Sequence, residues 1–329
     1  MATRRLDEFS DSLLSLYRAA SEQPLDAFQD VALSIVKRAL PFDSSMWGTA
    51  TNTEAGIDIH SIHLHNSSQD MLDFYEEVKH QDTAVAMLSR TPRATLAFHS
   101  PSLFAGREHS GMRALCGKFG HANMLISANL LPDTRLVQWI SLYRADADAH
   151  CGERERGLLE LLAPHVMQAL AMNRLTHLDA LRSNRPGAAE GVAIADARGV
   201  LYHADAGFEA SMRGEWSGSN GRTLPPPLLE HFTRESGPGS RPWRGETTVV
   251  RCWFDRGLMF LRARPRKPVD SLTEREYTIA KLLAQGGTHK HVARALGRSP
   301  ATVRNQIQAI YQKLGVNNVV ALARELGID

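Results

Sequence analysis

The chain has 329 residues, of which 43% are hydrophobic and 22% are charged, with a formal net charge of +2 at pH 7. Such totals are ordinary for a soluble globular protein of two or three domains. No segment approaches the roughly 20 apolar residues of a membrane span, so we expect a cytoplasmic protein without a membrane partner. From Asp270 onward, eight Lys and Arg residues stand against five Asp and Glu residues, a basic end that suits contact with phosphate groups.

Cysteine and histidine spacing gives little support for a metal site. The cysteines are widely scattered and predict three reduced thiols: Cys116, Cys151 and Cys252. In a strand, His63 and His65 would share one face while His60 points away, which is a poor geometry for three ligands. We expect exposed strand histidines, no metal and no cofactor.

The first half of the chain alternates helical and strand patterns. Helical periodicity covers Leu6–Ala20 and Leu25–Leu40. Strand character follows in four shorter runs: Ser45–Thr51, Ile57–Leu64, Met124–Leu131 and Leu136–Tyr143. The segment Glu153–Leu181 has apolar residues three or four apart, which predicts one long amphipathic helix that runs off the domain and is available to pair with a second copy.

Flanking helices, an antiparallel sheet and a terminal exit helix resemble a GAF-like sensor domain over residues 1–182. The closing strand and exit helix carry the resemblance at Ile140, Tyr143, Arg144, Glu153, Arg154, Leu158, Leu159, Pro164 and His165. The resemblance implies a pocket for a small-molecule effector, and strand alternation offers lining residues, each of which could instead be ordinary core. The candidates are Met46, Trp47, Ile62, Tyr75, Met87, Met124, Ile126 and Trp139.

Two breaks divide the rest of the chain. The stretch 182–189 contains Pro186 and Gly187 and reads as a linker. The stretch 262–270 contains Pro265 and Pro268, and since proline disfavours helix before it, we expect an extended, solvated tether.

Between the breaks, residues 188–264 resemble a small PAS-like domain. Gly191–Ala195, with Asp196 and Gly199 after it, and then Val200–Tyr202 read as strand, turn and strand. A short helix at Ala206–Met212 and further strands at Thr247–Trp253 and Gly257–Arg262 complete the outline. The Pro- and Gly-rich middle, with Pro225, Pro227, Gly237 and Gly239, lacks a counterpart in the resemblance.

Residues 265–329 contain clear signals for where helices begin and end. Thr273 with Glu276 forms a capping box pattern, and a helix then runs to Gly286. Thr288 caps a second helix that stops at Gly297. Ser299 caps a third, with Pro300 at its first position. Two short helices joined by a tight turn to a longer one predict a helix-turn-helix module, an all-α bundle of four helices when the last helix is included.

The third helix has two different sides. Its apolar side is predicted to pack on the first two helices through Val303, Ile307, Ile310, Tyr311 and Leu314. Its polar side offers Arg304, Asn305 and Gln308 near the end that a recognition helix inserts into the major groove. These side chains can pair with guanine or adenine edges, so we expect double-stranded DNA as partner.

The module resembles the LuxR-type helix-turn-helix family over some fifty residues. The matching residues are Leu272, Thr273, Arg275, Glu276, Ala284, Gly286, Val292, Ala293, Leu296, Ser299, Thr302, Val303, Arg304, Ile310, Lys313, Leu314, Gly315 and Val316. By this resemblance, Arg304, Asn305 and Gln308 contact bases, while Thr302, Lys290 and Lys313 lie near phosphate or sugar. Ser299 at the start of the same helix is counted with the DNA-binding residues. The chain departs from the family pattern at Gln306, His291 and Val319, which puts operator preference in doubt.

The resemblance also implies a homodimer and a regulated function. The last helix, Val319–Leu326, has more apolar surface than one bundle needs, and in the family it pairs across a two-fold axis. An acyl-homoserine lactone is not the expected effector, because Thr51 stands four residues after Trp47 where the family has Tyr, and Thr83 follows Asp82 where the family has Pro. We expect a transcription regulator controlled by a small molecule or partner.

Several alternatives stay open: an orphan regulator with no ligand, a phosphorylation-driven response regulator, and RNA polymerase as a further partner. A response regulator needs a receiver domain, and the N-terminal half lacks its layout of acidic residues and lysine. No phosphate loop, nucleophile elbow or paired metal-ligand motif favours an enzyme.

Overall fold

The computed structural model describes residues 2–53, 56–90, 93–131, 136–180, 190–234 and 241–328. The chain forms two compact units, Met1–Pro186 and Gly187–Asp329. The linker expected at 182–189 lies outside the described residues. The architecture is mixed α+β, with one antiparallel sheet in each unit and a helical region at the C-terminus.

The first unit consists of a five-stranded sheet with helices on both faces. Its helices are α1 (Ala2–Glu22), α2 (Phe28–Ala39), α3 (Gln69–Val78), α4 (Thr83–Leu88), α5 (Ser100–Leu103), α6 (Ser110–Phe119) and α7 (Glu153–Ala180). Its strands are β1 (Ser44–Thr53), β2 (Gly56–His65), β3 (Arg93–His99), β4 (Asn123–Leu131) and β5 (Leu136–Arg144), in the order β2-β1-β5-β4-β3. The four predicted strands are present, and β3 is an additional one.

Strand alternation divides the core of this unit in two. Trp47, Leu125 and Ile140 face α1, α2 and α7. Their neighbours Met124 and Tyr143 face α3, α4 and α6 on the other side. The long helix α7 is packed on α1 and on the sheet, with Leu162 and Val166 buried, so most of its apolar side is used within this unit. The exposed Leu161 and Met172 on the same helix leave pairing with a second copy as a prediction.

The second unit begins with a smaller five-stranded sheet. Its strands are β6 (Gly191–Asp196), β7 (Leu201–Ala204), β8 (Trp243–Arg244), β9 (Thr248–Asp255) and β10 (Leu258–Pro265), in the order β7-β6-β10-β9-β8. Two helices, α8 (Ala206–Glu215) and α9 (Pro226–Arg234), contribute Phe208 and Phe232 to the core on one face. Numbered from its own first strand, this sheet has the same order as the first one.

The connection after β10 is a structured junction, which corrects the expected solvated tether. Arg264 makes a double hydrogen-bonded ion pair with Asp270, with both nitrogen–oxygen distances 2.6 Å. Asp270 also accepts from the Lys267 amide at 2.8 Å, and the Arg266 amide donates to the Thr247 carbonyl at 2.7 Å. Residues Pro268–Ser271 form a short 3-10 helix. The prolines therefore end the strand, but the chain after it remains ordered, because its backbone amides donate to Asp270 and to the Thr247 carbonyl.

Asp270→Asn is expected to lower the free energy of unfolding of the second unit by about 1 to 2 kcal/mol at pH 7. Burial alone would raise the pKa of Asp270, but hydrogen bonds from Arg264 and the Lys267 amide outweigh it and hold the pKa below its ordinary value. A carboxyl group with a depressed pKa stabilises the folded state at pH values above its pKa in the unfolded chain. This stabilisation is lost as the pH falls through the pKa of the group in the folded state. Urea unfolding of the wild-type protein and of Asp270→Asn at pH 7 and pH 3 should show a smaller difference in the free energy of unfolding at pH 3. An equal difference at both pH values would contradict a stabilising ion pair between Arg264 and Asp270.

The C-terminal helices are α10 (Glu274–Ala284), α11 (His289–Ala295), α12 (Pro300–Leu314) and α13 (Val319–Leu326). The predicted caps are present: the side-chain hydroxyls of Thr273, Thr288 and Ser299 each accept a hydrogen bond from the backbone amide three residues later in the chain. Gly297 ends the second helix in the left-handed region with φ 61°, which a residue with a Cβ rarely adopts. The helices enclose a core of their own around Ile310.

Candidate DNA-binding surface and ligand cavity

The helix α12 separates a buried side from an exposed polar side. Val303, Ile310 and Leu314 are buried, and Ile307 and Tyr311 are half-buried. The opposite side exposes the three predicted base-reading residues, Arg304, Asn305 and Gln308. None of these three side chains hydrogen-bonds to another residue that the structure describes, so their donors and acceptors are available to a partner.

The four residues expected near phosphate or sugar are exposed but differ in their contacts. Ser299 accepts from the Thr302 amide at 3.1 Å, and the two hydroxyl oxygens are 2.8 Å apart at the start of α12. Lys290 is exposed in the first turn of α11. Lys313 forms an ion pair with Glu276 at 2.7 Å and lies at the far end of α12, about 14 Å along the helix axis from Arg304. In this structure Lys313 therefore ties α12 to α10.

Glu276 organises the start of α10 through two interactions. Its carboxylate accepts from the Thr273 amide at 2.9 Å, which completes the predicted capping box. The hydrogen bond from Lys313 and, to a smaller extent, the one from the Thr273 amide hold the pKa of Glu276 below its ordinary value. The carboxylate is therefore ionised, and the first and third helices are held together at this point.

The last helix leaves apolar side chains in solvent. Val320 is 74% exposed and Val319 is 38% exposed, while Leu322 is fully buried in the bundle. An exposed valine pair on one short helix is the surface that the sequence predicted for pairing between chains.

A cavity of about 650 Å³ lies in the first unit, between the sheet and the layer formed by α3, α4 and α6. Six of the eight predicted lining residues border it: Met46, Ile62, Tyr75, Met124, Ile126 and Trp139. They come from five separate elements, so the fold brings together residues that lie up to 93 positions apart in the chain. The volume is typical of a site for a small organic molecule.

Two predicted lining residues lie elsewhere, which corrects those two assignments. Trp47 is 1% exposed and packs on Phe28 in the opposite core, because it is one position from Met46 on β1 and successive side chains alternate faces. Met87 is 37% exposed on α4, whose cavity side is formed by Ala84, Val85 and Leu88.

Gly48 gives the cavity wall its shape. It is paired with Trp139 on the adjacent strand, and a Cβ at position 48 would collide with the six-membered ring of that indole. The indole therefore lies flat across β1. A larger residue at position 48 would displace it toward the cavity.

The cavity contains polar groups that sequence reasoning missed. The Tyr75 hydroxyl donates to Asp82 at 3.0 Å, and Asp82 also caps α4 by accepting from the Ala84 amide at 2.8 Å. Burial raises the pKa of Asp82 despite these hydrogen bonds, and burial together with Asp82 raises that of Tyr75. The Asp82-Thr83 pair before an apolar run is an N-cap signal that could have revealed α4.

The strand histidines are used in local hydrogen bonds. His63 and His65 share a face, as predicted, and both contact one Asp30 oxygen, at 3.1 and 2.7 Å. His60 pairs with Thr51 at 2.6 Å. The expectation that they are exposed is wrong, because His63 and His65 are only 21% and 15% exposed in their side chains. Within the described residues, no group of three or more His, Cys, Asp or Glu side chains has an arrangement that could hold a metal ion.

Comparison with known proteins identifies the C-terminal region. Residues 270–326 match the sequence profile described as "Bacterial regulatory proteins, luxR family". The C-terminal domain belongs to the LuxR family. The matched residues include all four C-terminal helices, α10 to α13.

Individual relatives match the LuxR-family domain or a longer stretch. The transcriptional regulatory protein UhpA of Escherichia coli is 47% identical over 57 residues, which are 17% of this chain and 29% of UhpA. The nitrate/nitrite response regulator protein homolog of Haemophilus influenzae is 29% identical over 196 residues, 57% of this chain and 85% of that protein. The chain thus spans under a third of the length of UhpA.

Solved structures resemble the chain over a greater length. The Escherichia coli protein SdiA aligns over 97% of this chain and 96% of its own, with 12% identity and a TM-score of 0.40.

Among the helices of the described residues, none has the length and apolar character that crossing a bilayer requires.

The three departures from the LuxR-family pattern leave the domain folded. His291 is exposed at the third position of α11, where its amide donates to Thr288 at 3.2 Å but its side chain returns no bond to the cap. Gln306 is half-buried on α12, and Val319 is exposed at the start of α13. Each changes a side chain at the surface or edge of the domain and none lies among its buried residues.

Proposed function

We propose that the protein is a DNA-binding transcription regulator whose N-terminal unit senses a small molecule. The observation that carries the proposal is the exposed row of Arg304, Asn305 and Gln308 on the front half of α12. Arg can donate two hydrogen bonds to O6 and N7 of guanine, and Asn or Gln can pair with N6 and N7 of adenine. A LuxR-family domain with these side chains free is suited to read base edges in the major groove.

The proposed partner is one duplex read by two chains. The exposed Val319 and Val320 on α13 supply an apolar contact that a second copy would bury around a two-fold axis. Two recognition helices related in this way read an inverted repeat whose halves are about one helical turn apart. RNA polymerase is the further partner that a bound activator would contact.

The sensing part of the proposal rests on the cavity of about 650 Å³. We assign residues 1–182 to a GAF-like sensor domain, residues 188–264 to a PAS-like domain and residues 265–329 to the DNA-binding domain. The shared strand order of the two sheets supports treating both as related sensor folds. Both sheets are antiparallel, whereas doubly wound receiver folds are built on parallel strands, which favours ligand control over phosphorylation.

The test is selection of bound duplexes from a random pool by the full-length chain, followed by footprinting and measurement of stoichiometry. We expect an inverted repeat to be enriched, with two chains bound per site. Binding without sequence preference would overturn the proposal that α12 reads base edges. A single chain per protected site would overturn the proposed dimer. Adding acetyl phosphate is a control, because stoichiometric labelling of the protein would favour a response regulator instead.

A further inference from the structure

One polar atom in the cavity wall is left without a hydrogen bond. His121 is 2% exposed and lines the cavity. Its Nε2 atom is buried and has no hydrogen-bond partner among the residues that the structure describes. Burial removes the hydrogen bond that this nitrogen would make with water, so an unpartnered Nε2 is costly to the folded protein. A molecule inside the cavity that completes the hydrogen bond would remove that cost.

The imidazole ring is fixed in its orientation. The His121 amide donates to the Cys116 carbonyl at 2.9 Å, and its carbonyl accepts from the Ser100 hydroxyl at 2.7 Å. The ring stacks on Tyr143 with centroids 3.8 Å apart and planes inclined by 11°. Because backbone and ring are both held, Nε2 occupies a defined position, and it can select where a ligand carries its polar group.

The His121 ring favours an uncharged group as its partner. Burial lowers the pKa of His121 to about 4, so the ring is neutral near pH 7. A neutral imidazole has one donor and one acceptor nitrogen, and a hydroxyl group can satisfy either of them. Met112 and Met124 also line the cavity, and together with the flat Trp139 indole they suit a flat apolar body.

We infer that the cavity takes an uncharged aromatic molecule bearing a hydroxyl group, and that this hydroxyl hydrogen-bonds Nε2 of His121. The inference rests on the proposed sensing function, because it names the ligand class of the same cavity. His121 is thereby a specificity-determining residue: it distinguishes a hydroxyl from a methyl group at one end of a flat ligand.

The test compares 2-naphthol with 2-methylnaphthalene, which have nearly the same shape and differ by hydroxyl against methyl. Affinities are measured by fluorescence titration of the full-length protein and of His121→Phe. The control His121→Gln retains an amide that can donate and accept. We expect the wild-type protein to bind 2-naphthol about tenfold more tightly, because a buried polar group left unpaired discriminates strongly. His121→Phe should bind both compounds alike, and His121→Gln should keep part of the preference.

The outcomes separate this inference from the function on which it rests. Equal wild-type affinity for the two compounds, or an unchanged ratio in His121→Phe, overturns the role of His121 and leaves the cavity as a binding site. Failure of both compounds to bind overturns the inference together with the sensing proposal, while DNA binding is decided separately by duplex selection. If His121→Phe does not fold, the wild-type ratio and the His121→Gln ratio still decide the question.

Discussion

Arg304→Ala is expected to weaken binding to the selected duplex by about 1 to 3 kcal/mol and to abolish the preference for one base pair in each half-site. Arg304 is exposed on the front half of α12 and is held by no other described residue. Its guanidinium can therefore make a paired contact to a guanine, which Ala cannot replace. Competition binding against duplexes that differ at single positions measures both effects.

Lys290→Ala is the matched control for this prediction, since Lys290 is also an exposed cation of the LuxR-family domain. A contact to phosphate carries no sequence information, so this change should weaken all duplexes alike and reduce the salt dependence by about one ion. If Arg304→Ala also weakened every duplex equally, Arg304 would be a phosphate contact, and the assignment of the base-reading face would be wrong.

Ile310→Ala is expected to destabilise the C-terminal helices by about 2 to 5 kcal/mol. Ile310 is 0% exposed and belongs to the same buried cluster as Ile279, Val303 and Leu322. Truncation removes buried apolar surface and leaves a cavity among three helices. Because domains are stable by only about 5 to 15 kcal/mol in total, much of the helical domain should then open.

Hydrogen exchange measured along the chain checks this result, with faster exchange expected in α10 to α13 and unchanged exchange in α1 to α7. Gln312→Ala is the matched control, because Gln312 is exposed on α12 and loss of its side chain should change stability by about 0.5 kcal/mol or less. Equal effects of the two substitutions would mean that Ile310 does not hold the bundle together.

The C-terminal helices could be predicted because their signals are local. The caps at Thr273, Thr288 and Ser299 and the stop at Gly297 act within three or four residues, so the sequence alone contains both partners of each interaction. The apolar spacing of α12 likewise reports its buried side directly. Exposure of Arg304 and Asn305 follows once the opposite side is buried.

The cavity could be predicted only in part, because its walls depend on pairing between distant segments. Met46 and Trp47 are neighbours in the sequence, and only the register of β1 against β5 decides which of them faces the cavity. The Asp82-Thr83 pair signals a helix start locally, but the contact between Asp82 and Tyr75 depends on how α3 and α4 pack. His121 gave no signal, since its importance comes from burial and from the missing partner of Nε2.

The prediction of a solvated tether between the small sheet and the C-terminal helices was wrong for a related reason. Its prolines are visible in the sequence, but the Thr247 carbonyl that accepts from Arg266 comes from another strand. The pairing of Arg264 with Asp270 likewise requires the strand to end and the short helix to turn back. Proline therefore indicated where regular structure stops, and the contacts around it determine whether the chain is stiff.

If α12 reads the major groove as proposed, a stiff junction would make this reading sensitive to the angle of the helix. Successive base pairs are rotated by about 35°, since roughly 10 of them complete one turn of duplex. A twist of the small sheet by that amount, carried through the Arg264–Asp270 pair, would turn the side chains of α12 from one base pair toward the next. A loose tether would absorb the same twist, so this short stretch of chain would set how much of a rotation of the small sheet reaches α12.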